Sequence, residues 1–337
     1  MKAVGYRQAG VLDRTDSLAD IELDRPVPTG RDLLVKVAAV SANPVDCKIR
    51  KSMSPPEGSW KVLGWDAAGT VEAVGDGVKD FEVGDAVFYS GSLVRQGANS
   101  EYHLVDERIV GKKPTTASDV EAAALPLTAI TAWEMMFDRL DVEKAVPGAA
   151  NAILIIGGAG GVGSITIQLA RALTDLTVIA TASRPETIEW VKQLGAHHVV
   201  DHRKPLAEQV KALGIGAPAF VFSTNETKSQ LSEIVELIAP QGRFGLIDDP
   251  DGLDIMGFKR KSVSVHQEFM FTRSMYGTAD MGEQGRLLTK VAELIDNGAI
   301  KTTVTEVLRP INAENLKKAH ATLESGKAKG KIVLEGF

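Results

Sequence analysis

The chain has 337 residues, 44% of them hydrophobic, which supplies apolar side chains for the cores of about two domains. Its formal net charge of −6 and its lack of a long basic run argue against nucleic acid as a partner. No apolar run approaches the roughly 18 residues of a membrane span and no signal core opens the chain, so we expect a cytoplasmic protein without a membrane partner.

The first 110 residues carry short apolar or alternating runs between glycine and proline turns, a pattern typical of an all-β barrel or sandwich. The predicted strands are 33–40, 68–74, 85–89 and 101–105. From about residue 117 the pattern becomes helical. Ser118 followed by Glu121 is a capping-box signature, and 128–140 is predicted as a further helix.

A short apolar strand, a glycine turn and the start of a helix follow one another at 152–164. Three glycines match the G-x-G-x-x-G pattern, which permits a tight turn, close approach of a diphosphate and close packing of helix on strand. The helix start adds unpaired N–H groups that attract phosphate. We therefore predict a dinucleotide site, with an ordinary tight turn as the alternative. Its residues are Gly158, Ala159, Gly160, Gly161, Val162 and Gly163.

Strands and helices alternate after this turn, which predicts a doubly wound parallel sheet. The predicted strands are 177–182, 198–200, 219–222, 242–247 and 262–265, and the helices 185–194, 206–213 and 230–238. A helix at 287–296, a strand at 304–308, a helix at 313–324 and a strand at 331–334 complete the chain. We expect these last strands to rejoin the first domain, which would make that domain discontinuous.

The end of the second predicted strand indicates which dinucleotide binds. An acidic residue there would favour NAD, whereas Ser183 and Arg184 stand there and suit the 2′-phosphate of NADPH. The alternatives are that Arg184 only caps a loop and that Glu186 reaches a ribose. Ser223 and Thr224 follow the fourth strand, at the sheet edge where ligands bind, and are further candidates.

Several segments in this order and spacing resemble the medium-chain dehydrogenase/reductase superfamily, specifically its zinc-free quinone oxidoreductase branch and a subgroup often labelled zinc-type alcohol dehydrogenase-like. The matching segments are 43–46, 64–69, 83–85, 101–105, 123–128, the glycine turn, 194–196 with Asp201, and 330–333. The resemblance implies a GroES-like β-rich domain (1–125 and 268–337), a Rossmann domain (126–267), an active site in the cleft between them, and a homodimer. It also implies that His202 borders the adenosine phosphate and that Phe271 lines the nicotinamide pocket, although Phe271 could equally pack in a core.

A catalytic zinc needs three protein ligands, normally cysteine or histidine. In zinc-dependent relatives a cysteine stands at the position of Asn43, and a Gly-His-Glu segment matches residues 64–66, where Trp65 replaces the histidine. Asparagine is a poor zinc ligand and tryptophan cannot be one. Cys47 is the single cysteine, so the cysteine-rich lobe of those relatives is missing as well. We predict no metal.

Without a metal there is no Lewis acid to activate an alcohol or a simple ketone, so quinones and α,β-unsaturated carbonyls are the better hydride acceptors. By resemblance, Asn43 would bond the acceptor oxygen or the nicotinamide ribose, and Thr128 the carboxamide or substrate. Asp46 would orient its neighbours and Trp65 would form a pocket wall. Each has a structural alternative: a turn for Asn43, a helix-internal bond for Thr128, core packing for Trp65 and a purely structural role for Asp46. Lys48 stands where several relatives have a tyrosine, which leaves bulk water as the proton source.

Three functions are compatible with these features. The first is an NADPH-dependent quinone or enone reductase. The second is a zinc-dependent alcohol dehydrogenase, which requires a metal. The third is a non-catalytic NADPH-binding sensor or structural protein, which would bind the cofactor without turnover.

Overall fold

A computed structural model describes residues 1–337 of the chain. It consists of two compact units. The first unit comprises Met1–Ile130 and Phe271–Phe337, and the second comprises Thr131–Met270. No helix has the length and apolar composition that crossing a membrane requires.

The strands and helices are numbered in chain order. The strands are β1 (Lys2–Tyr6), β2 (Ala19–Glu22), β3 (Asp32–Ala42), β4 (Lys61–Val62), β5 (Asp66–Val74), β6 (Ala86–Ser90), β7 (Tyr102–Asp106), β8 (Val110–Lys112), β9 (Ala150–Ile156), β10 (Thr177–Thr181), β11 (His198–Val200), β12 (Pro218–Ser223), β13 (Arg243–Leu246), β14 (Ser264–Gln267), β15 (Val304–Leu308) and β16 (Lys331–Glu335). The helices are α1 (Pro44–Ser52), α2 (Asp119–Ala123), α3 (Pro126–Trp133), α4 (Gly161–Leu173), α5 (Pro185–Gln193), α6 (Leu206–Ala212), α7 (Thr227–Leu237), α8 (Thr272–Tyr276), α9 (Glu283–Asp296) and α10 (Ala313–Glu324). Short 3₁₀ helices lie at Glu107–Ile109 and Ile255–Lys261, and a π-helical turn at Glu134–Arg139.

The first unit is β-rich, and its chain is discontinuous as predicted. Its larger sheet has the order β15-β16-β3-β5-β6-β8, with β7 also paired to β3, and its smaller sheet has the order β2-β1-β4. The C-terminal strand β16 runs antiparallel to β3, with Ile332 opposite Ala42. On the other side of β3, Ser41 lies opposite Asp66 of β5. This register brings the first residues of β5 and β16 to the same end of β3.

The expectation that residues 1–110 are all-β is wrong at α1 (Pro44–Ser52). Asn43 is the N-cap of this helix rather than a turn residue, and Pro44 occupies the first helical turn, where its fixed φ and missing N–H do no harm. Only three of its nine residues are buried, so the segment lacks the apolar periodicity that would have predicted a helix.

The second unit is a doubly wound α/β domain, as predicted. Its six strands are all parallel, in the order β11-β10-β9-β12-β13-β14, which is the Rossmann order. Its apolar core includes Leu154 and Ile156 of β9 together with Phe244 and Phe258. The short apolar run that predicted β9 therefore lies at the centre of this sheet.

Two predicted boundaries differ from the structure. The helix predicted at 128–140 begins at Pro126 and continues after Trp133 as a π-helical turn. The sixth strand begins at Ser264 rather than at 262, because Ser262 ends a 3₁₀ helix with a left-handed φ of 51°. The capping box of Ser118 and Glu121 at the start of α2 is confirmed.

Candidate functional site

The glycine turn between β9 and α4 is tightly packed on one side and open on the other. Gly157 has a φ of 80°, and a Cβ there would lie 2.2 Å from Oγ1 of Thr224. A Cβ on Gly163 would lie 2.3 Å from the carbonyl oxygen of Gly157. By contrast, a Cβ on Gly160 would meet only that same oxygen, at 3.4 Å. Gly157, which the motif did not include, therefore makes the turn, while Gly160 leaves space for a ligand.

The first turn of α4 offers backbone N–H groups to that space. Gly160 is its N-cap and has no side chain to accept a hydrogen bond from them. The N–H of Gly160 itself bonds to Gly157, and that of Ser164 bonds back to Gly160. This leaves the N–H groups of Gly161, Val162 and Gly163 at the positive end of a 13-residue helix. The turn thus fits a diphosphate group on geometry and on electrostatics.

Two arginines lie at the ends of neighbouring strands β10 and β11. Ser183 and Arg184 follow β10, and Nε of Arg184 lies 2.8 Å from a Glu186 carboxylate oxygen. Nη2 of Arg203, after β11, donates to the carbonyl oxygen of Ser183 at 2.9 Å. The prediction missed Arg203. Its signal is present in the sequence, because strands paired in parallel bring their carboxyl ends together, and Thr181 pairs with Val200.

His202 lies within electrostatic range of both guanidinium groups. Burial lowers the pKa of His202, and the positive charges of Arg203 and Arg184 act in the same direction, against a rise caused by Asp201. Arg203 is paired with Asp201 through Nε and Nη2, at 3.0 and 2.8 Å. Arg184, His202 and Arg203 therefore form one polar cluster at the strand ends, next to Ser183.

Ser223 and Thr224 use their hydroxyl groups within the second unit. Oγ1 of Thr224 donates to the carbonyl oxygen of Ile156 at 2.9 Å, and its backbone N–H bonds to the same oxygen at 3.1 Å. The Ser223 hydroxyl is fully buried, accepts from Thr227 and donates to the carbonyl oxygen of Asn225. The Thr224 bonds hold the end of β12 against the glycine turn, whereas the Ser223 bonds stay within the segment that joins β12 to α7.

The four predicted catalytic residues all lie in the first unit and are buried. Asn43, Asp46, Trp65 and Thr128 are at most 2% exposed. Nδ2 of Asn43 donates to the carbonyl oxygen of Ser41 and to the Asp66 carboxylate, and its Oδ1 accepts from Lys331. Its amide is therefore engaged inside the protein.

Asp46 joins α1 to the turn before β5. Its two carboxylate oxygens accept the backbone N–H groups of Asn43, at 2.7 Å, and of Gly64, at 2.9 Å. Burial raises the pKa of Asp46 to about 7, although both hydrogen bonds and the charge of Lys331 oppose the rise. The contacts of Asp46 are those of a group that orients its neighbours.

Trp65 and Phe271 are in contact, and Thr128 bonds within its own helix region. The indole N–H of Trp65 donates to the carbonyl oxygen of Ser92 at 3.1 Å. The rings of Trp65 and Phe271 meet edge to face with centroids 6.1 Å apart. The Thr128 hydroxyl donates to the carbonyl oxygen of Leu125 at 3.1 Å. The contacts of Trp65 are those of a packed side chain whose polar atom is satisfied.

Asp66 and Lys331, which the prediction did not select, form the centre of this cluster. Nζ of Lys331 lies 2.9 Å from Oδ2 of Asp66, and the two residues are 3% and 0% exposed. The other oxygen of Asp66 accepts the backbone N–H of Leu127 at 2.7 Å, in the first turn of α3. A lysine directly before the apolar run 332–334 was the available signal.

The residues present do not fit a zinc ion. No group of three or more His, Cys, Asp or Glu side chains is placed to hold a metal. The Cys47 thiol is buried and lies 3.8 Å from the carbonyl oxygen of His320. Tryptophan has no lone pair for a metal, and the Asn43 amide is fully engaged.

Comparisons with known proteins agree with this architecture. Residues 29–115 match the family model described as the alcohol dehydrogenase GroES-like domain, and residues 194–334 match the one described as zinc-binding dehydrogenase. A zinc-type alcohol dehydrogenase-like protein from Staphylococcus epidermidis is 39% identical over 99% of both chains. A 2-methylene-furan-3-one reductase from Solanum lycopersicum is 30% identical over 99% of this chain and 79% of its own.

Solved structures show the same fold over the full chain. A Rhizobium etli CFN 42 protein whose name places it with zinc-dependent alcohol dehydrogenases has a TM-score of 0.99 and 66% identity, and covers 100% of this chain and 98% of its own. A quinone oxidoreductase from Pseudomonas syringae has a TM-score of 0.83 and 26% identity over 99% of both chains. A mycobacterial protein solved with NADPH has a TM-score of 0.82 and 25% identity, also over 99% of both chains. The chain is therefore an oxidoreductase of the medium-chain dehydrogenase/reductase superfamily.

Proposed function

We propose that the protein is an NADPH-dependent reductase that transfers hydride to quinones or α,β-unsaturated carbonyl compounds without zinc. The observation that carries the proposal is the pair of arginines, Arg184 and Arg203, that flank Ser183 next to an open glycine turn. Guanidinium groups suit a 2′-phosphate, which NADPH carries and NADH lacks.

Each part of the cofactor site has a role in this proposal. The N–H groups of Gly161, Val162 and Gly163 hold the diphosphate at the start of α4. The Ser183 hydroxyl and the two guanidinium groups bind the 2′-phosphate by charge-assisted hydrogen bonds, and His202 borders it. When bound, NADPH supplies the hydride, and the protein contributes orientation and electrostatics. Two of the similar proteins support the nicotinamide cofactor and the reductase class: the mycobacterial protein with NADPH and the tomato reductase.

The class of hydride acceptor follows from the absence of side chains that could ligate zinc. The cluster around Asn43 and Trp65 offers no zinc site, so no Lewis acid is available to polarise a simple ketone. Quinones and enones need less activation, because the charge left by hydride addition is delocalised over a conjugated system. The proposed reaction is NADPH, a proton and a quinone or enone giving NADP⁺ and a hydroquinone or saturated carbonyl. Solvent supplies the proton, because the Asp46 carboxyl is buried and hydrogen-bonded within the protein.

A zinc-dependent alcohol dehydrogenase is the second candidate, because the names of the Staphylococcus and Rhizobium proteins describe them as zinc-type or zinc-dependent. It requires a metal site of a kind that these residues do not form. A non-catalytic NADPH-binding protein is the third candidate. It would share the cofactor contacts of Arg184 and Arg203, and differ only in the absence of turnover.

We also propose a homodimer in the cytoplasm. Strand β14 is an edge of the second unit's sheet, and an edge strand can pair with its copy in another chain. Sedimentation equilibrium measures the mass directly. A single-chain mass at micromolar concentration would contradict the dimer without affecting the proposed reaction.

A cofactor-oxidation screen tests the function. NADPH and NADH are each mixed with the purified protein and a panel of quinones, enals and enones, and the loss of reduced nicotinamide is followed. The reverse direction uses NADP⁺ with primary and secondary alcohols. We expect NADPH-dependent reduction of at least one quinone or enone and no alcohol oxidation. Zinc-dependent alcohol oxidation would support the second candidate, and NADPH binding without turnover would support the third.

A further inference from the structure

We propose that the ammonium group of Lys331 is the resident cation of the buried cluster formed by Ala42, Asn43, Asp66 and Lys331, here called the Lys331 cluster. In this role it occupies the oxygen ligands of the cluster and positions Asn43 and the start of α3. The proposal deepens the zinc-free function above and rests on it. It disagrees with the names of two similar proteins, which describe them as zinc-type or zinc-dependent.

The ammonium group is completely coordinated by oxygen atoms. Nζ lies 2.9 Å from Oδ2 of Asp66 and 3.3 Å from the carbonyl oxygen of Ala42, and it also donates to Oδ1 of Asn43. An ammonium group has three protons, so each of them has an acceptor. A buried charge of this kind is tolerated only when it is paired and hydrogen-bonded, as it is here.

The pairing register of the sheet places the groups of the Lys331 cluster next to one another. Ser41 pairs with Asp66 on one side of β3, and Ala42 pairs with Ile332 on the other side. Asp66 and Lys331 are the first residues of their strands, so the carboxylate and the ammonium flank the end of β3. Asn43 continues the chain from that end into α1.

The cluster fixes the orientation of the Asn43 amide. Its Oδ1 faces the ammonium, while Nδ2 donates to Asp66 at 2.8 Å and to the carbonyl oxygen of Ser41 at 3.1 Å. The two ends of the amide thus face opposite charges. Removing the ammonium would leave Oδ1 of Asn43 and Oδ2 of Asp66 without their cation.

A zinc ion cannot share this position. The oxygens of Ala42, Asn43 and Asp66 already bind the ammonium, so they are not free to ligate a metal. The neighbouring Trp65 indole can only donate, and it donates to Ser92. Zinc sites in proteins rely mainly on cysteine and histidine, with aspartate or glutamate as further ligands, and this cluster supplies only Asp66, whose two oxygens are already engaged.

The same cluster supports α3. Oδ2 of Asp66 holds the ammonium, and Oδ1 accepts the N–H of Leu127. A carboxylate at a helix start stabilises it through this bond and through the helix dipole. Thr128 is the next residue, so Lys331 is a positioning residue for it through Asp66.

The test compares Lys331→Ala, Lys331→Met and the double variant Asp66→Asn/Lys331→Met, with Lys290→Met of the exposed face of α9 as control. The melting temperature of both single variants should fall by about 10 °C, because they leave a buried carboxylate unpaired. The double variant removes both charges, keeps an oxygen for Leu127, and should recover most of the loss. Propylammonium should raise the melting temperature of Lys331→Ala and not that of Lys331→Met, whose side chain fills the space.

Metal content provides the second measurement. Wild-type protein incubated with one equivalent of zinc and desalted should retain none by mass spectrometry. A wild-type chain that retains about one zinc ion would overturn the proposal. Single variants with the same melting temperature as the wild type would also overturn it. If Lys331→Ala fails to fold, the melting temperature of the double variant and the zinc content of the wild type still test the proposal. Should the zinc-free wild type reduce no quinone or enone, the proposed function fails while these results for Lys331 stand.

Discussion

Arg203 ties the loop after β11 to the loop after β10, since its Nη2 donates to the carbonyl oxygen of Ser183 at 2.9 Å. Its guanidinium therefore contacts the residue directly before Arg184, and each arginine has an acidic partner two residues away in the chain, Asp201 for Arg203 and Glu186 for Arg184. A 2′-phosphate placed between them would add two charge-assisted contacts. This relationship makes the cofactor preference testable.

Arg184→Ala and Arg203→Ala should each raise the KM for NADPH by about tenfold or more, which is what losing one charged hydrogen bond implies. The KM for NADH should change less than about twofold, because NADH has no 2′-phosphate. Steady-state kinetics with both cofactors measures this difference. Arg286→Ala on the exposed part of α9 is the control, and equal effects on both cofactors would disprove the phosphate assignment.

Gly163→Ala and Gly160→Ala should separate stability from cofactor binding. A Cβ on Gly163 would lie 2.3 Å from the Gly157 oxygen, so this variant should lose about 1–3 kcal/mol of stability. Gly160 has a φ of −73°, which alanine adopts, and its Cβ would meet only one atom, at 3.4 Å. Gly160→Ala should therefore melt like the wild type.

The same Gly160→Ala variant should bind NADPH at least about tenfold more weakly, because its methyl group would fill the side that the diphosphate approaches. Thermal melts and calorimetric titration with NADPH measure the two effects. A Gly160→Ala protein with unchanged affinity would show that the diphosphate does not approach this glycine.

Glu268 should make stability fall as pH rises. Its side chain is buried beside Glu134, and Oε2 lies 2.7 Å from Nε of Arg139. Burial raises the pKa of Glu268 to about 8, and Glu134 adds to the rise against the effect of Arg139. An acid whose pKa is higher when folded is stabilising below its ordinary pKa, and this contribution is lost as pH rises to the folded pKa.

Glu268→Gln cannot titrate, so the difference in melting temperature, wild type minus variant, should decrease between about pH 5 and about pH 8.5. The exposed Glu208→Gln is the matched control and should show no such trend. A difference that stays constant or grows with pH would contradict the raised pKa.

The fold was predictable because its periodicities are strong. The apolar run at β9, the glycine turn and the alternation that followed predicted a doubly wound sheet, and the strand order is the Rossmann order. Helix α1 was missed because few of its residues are buried. The left-handed Ser262, a tertiary feature of the 3₁₀ helix before β14, was equally invisible in the pattern.

The candidate site was predictable only where it depends on local sequence. Ser183 and Arg184 follow directly from the end of β10, whereas Arg203 reaches Ser183 through strand pairing. Asp66 and Lys331 are 265 residues apart in the chain, and only the pairing of β5 and β16 with β3 brings them together. Resemblance pointed to Asn43, and the structure shows that its amide belongs to this buried cluster.

One sample can test the central claim directly. Wild-type protein is treated with a chelator, desalted, assayed for zinc by mass spectrometry, and then given NADPH and 1,4-benzoquinone while both compounds are followed. The account predicts zinc-free protein that oxidises one NADPH per quinone reduced, at a rate unchanged by added zinc. Turnover that disappears with the chelator and returns only with zinc would contradict it.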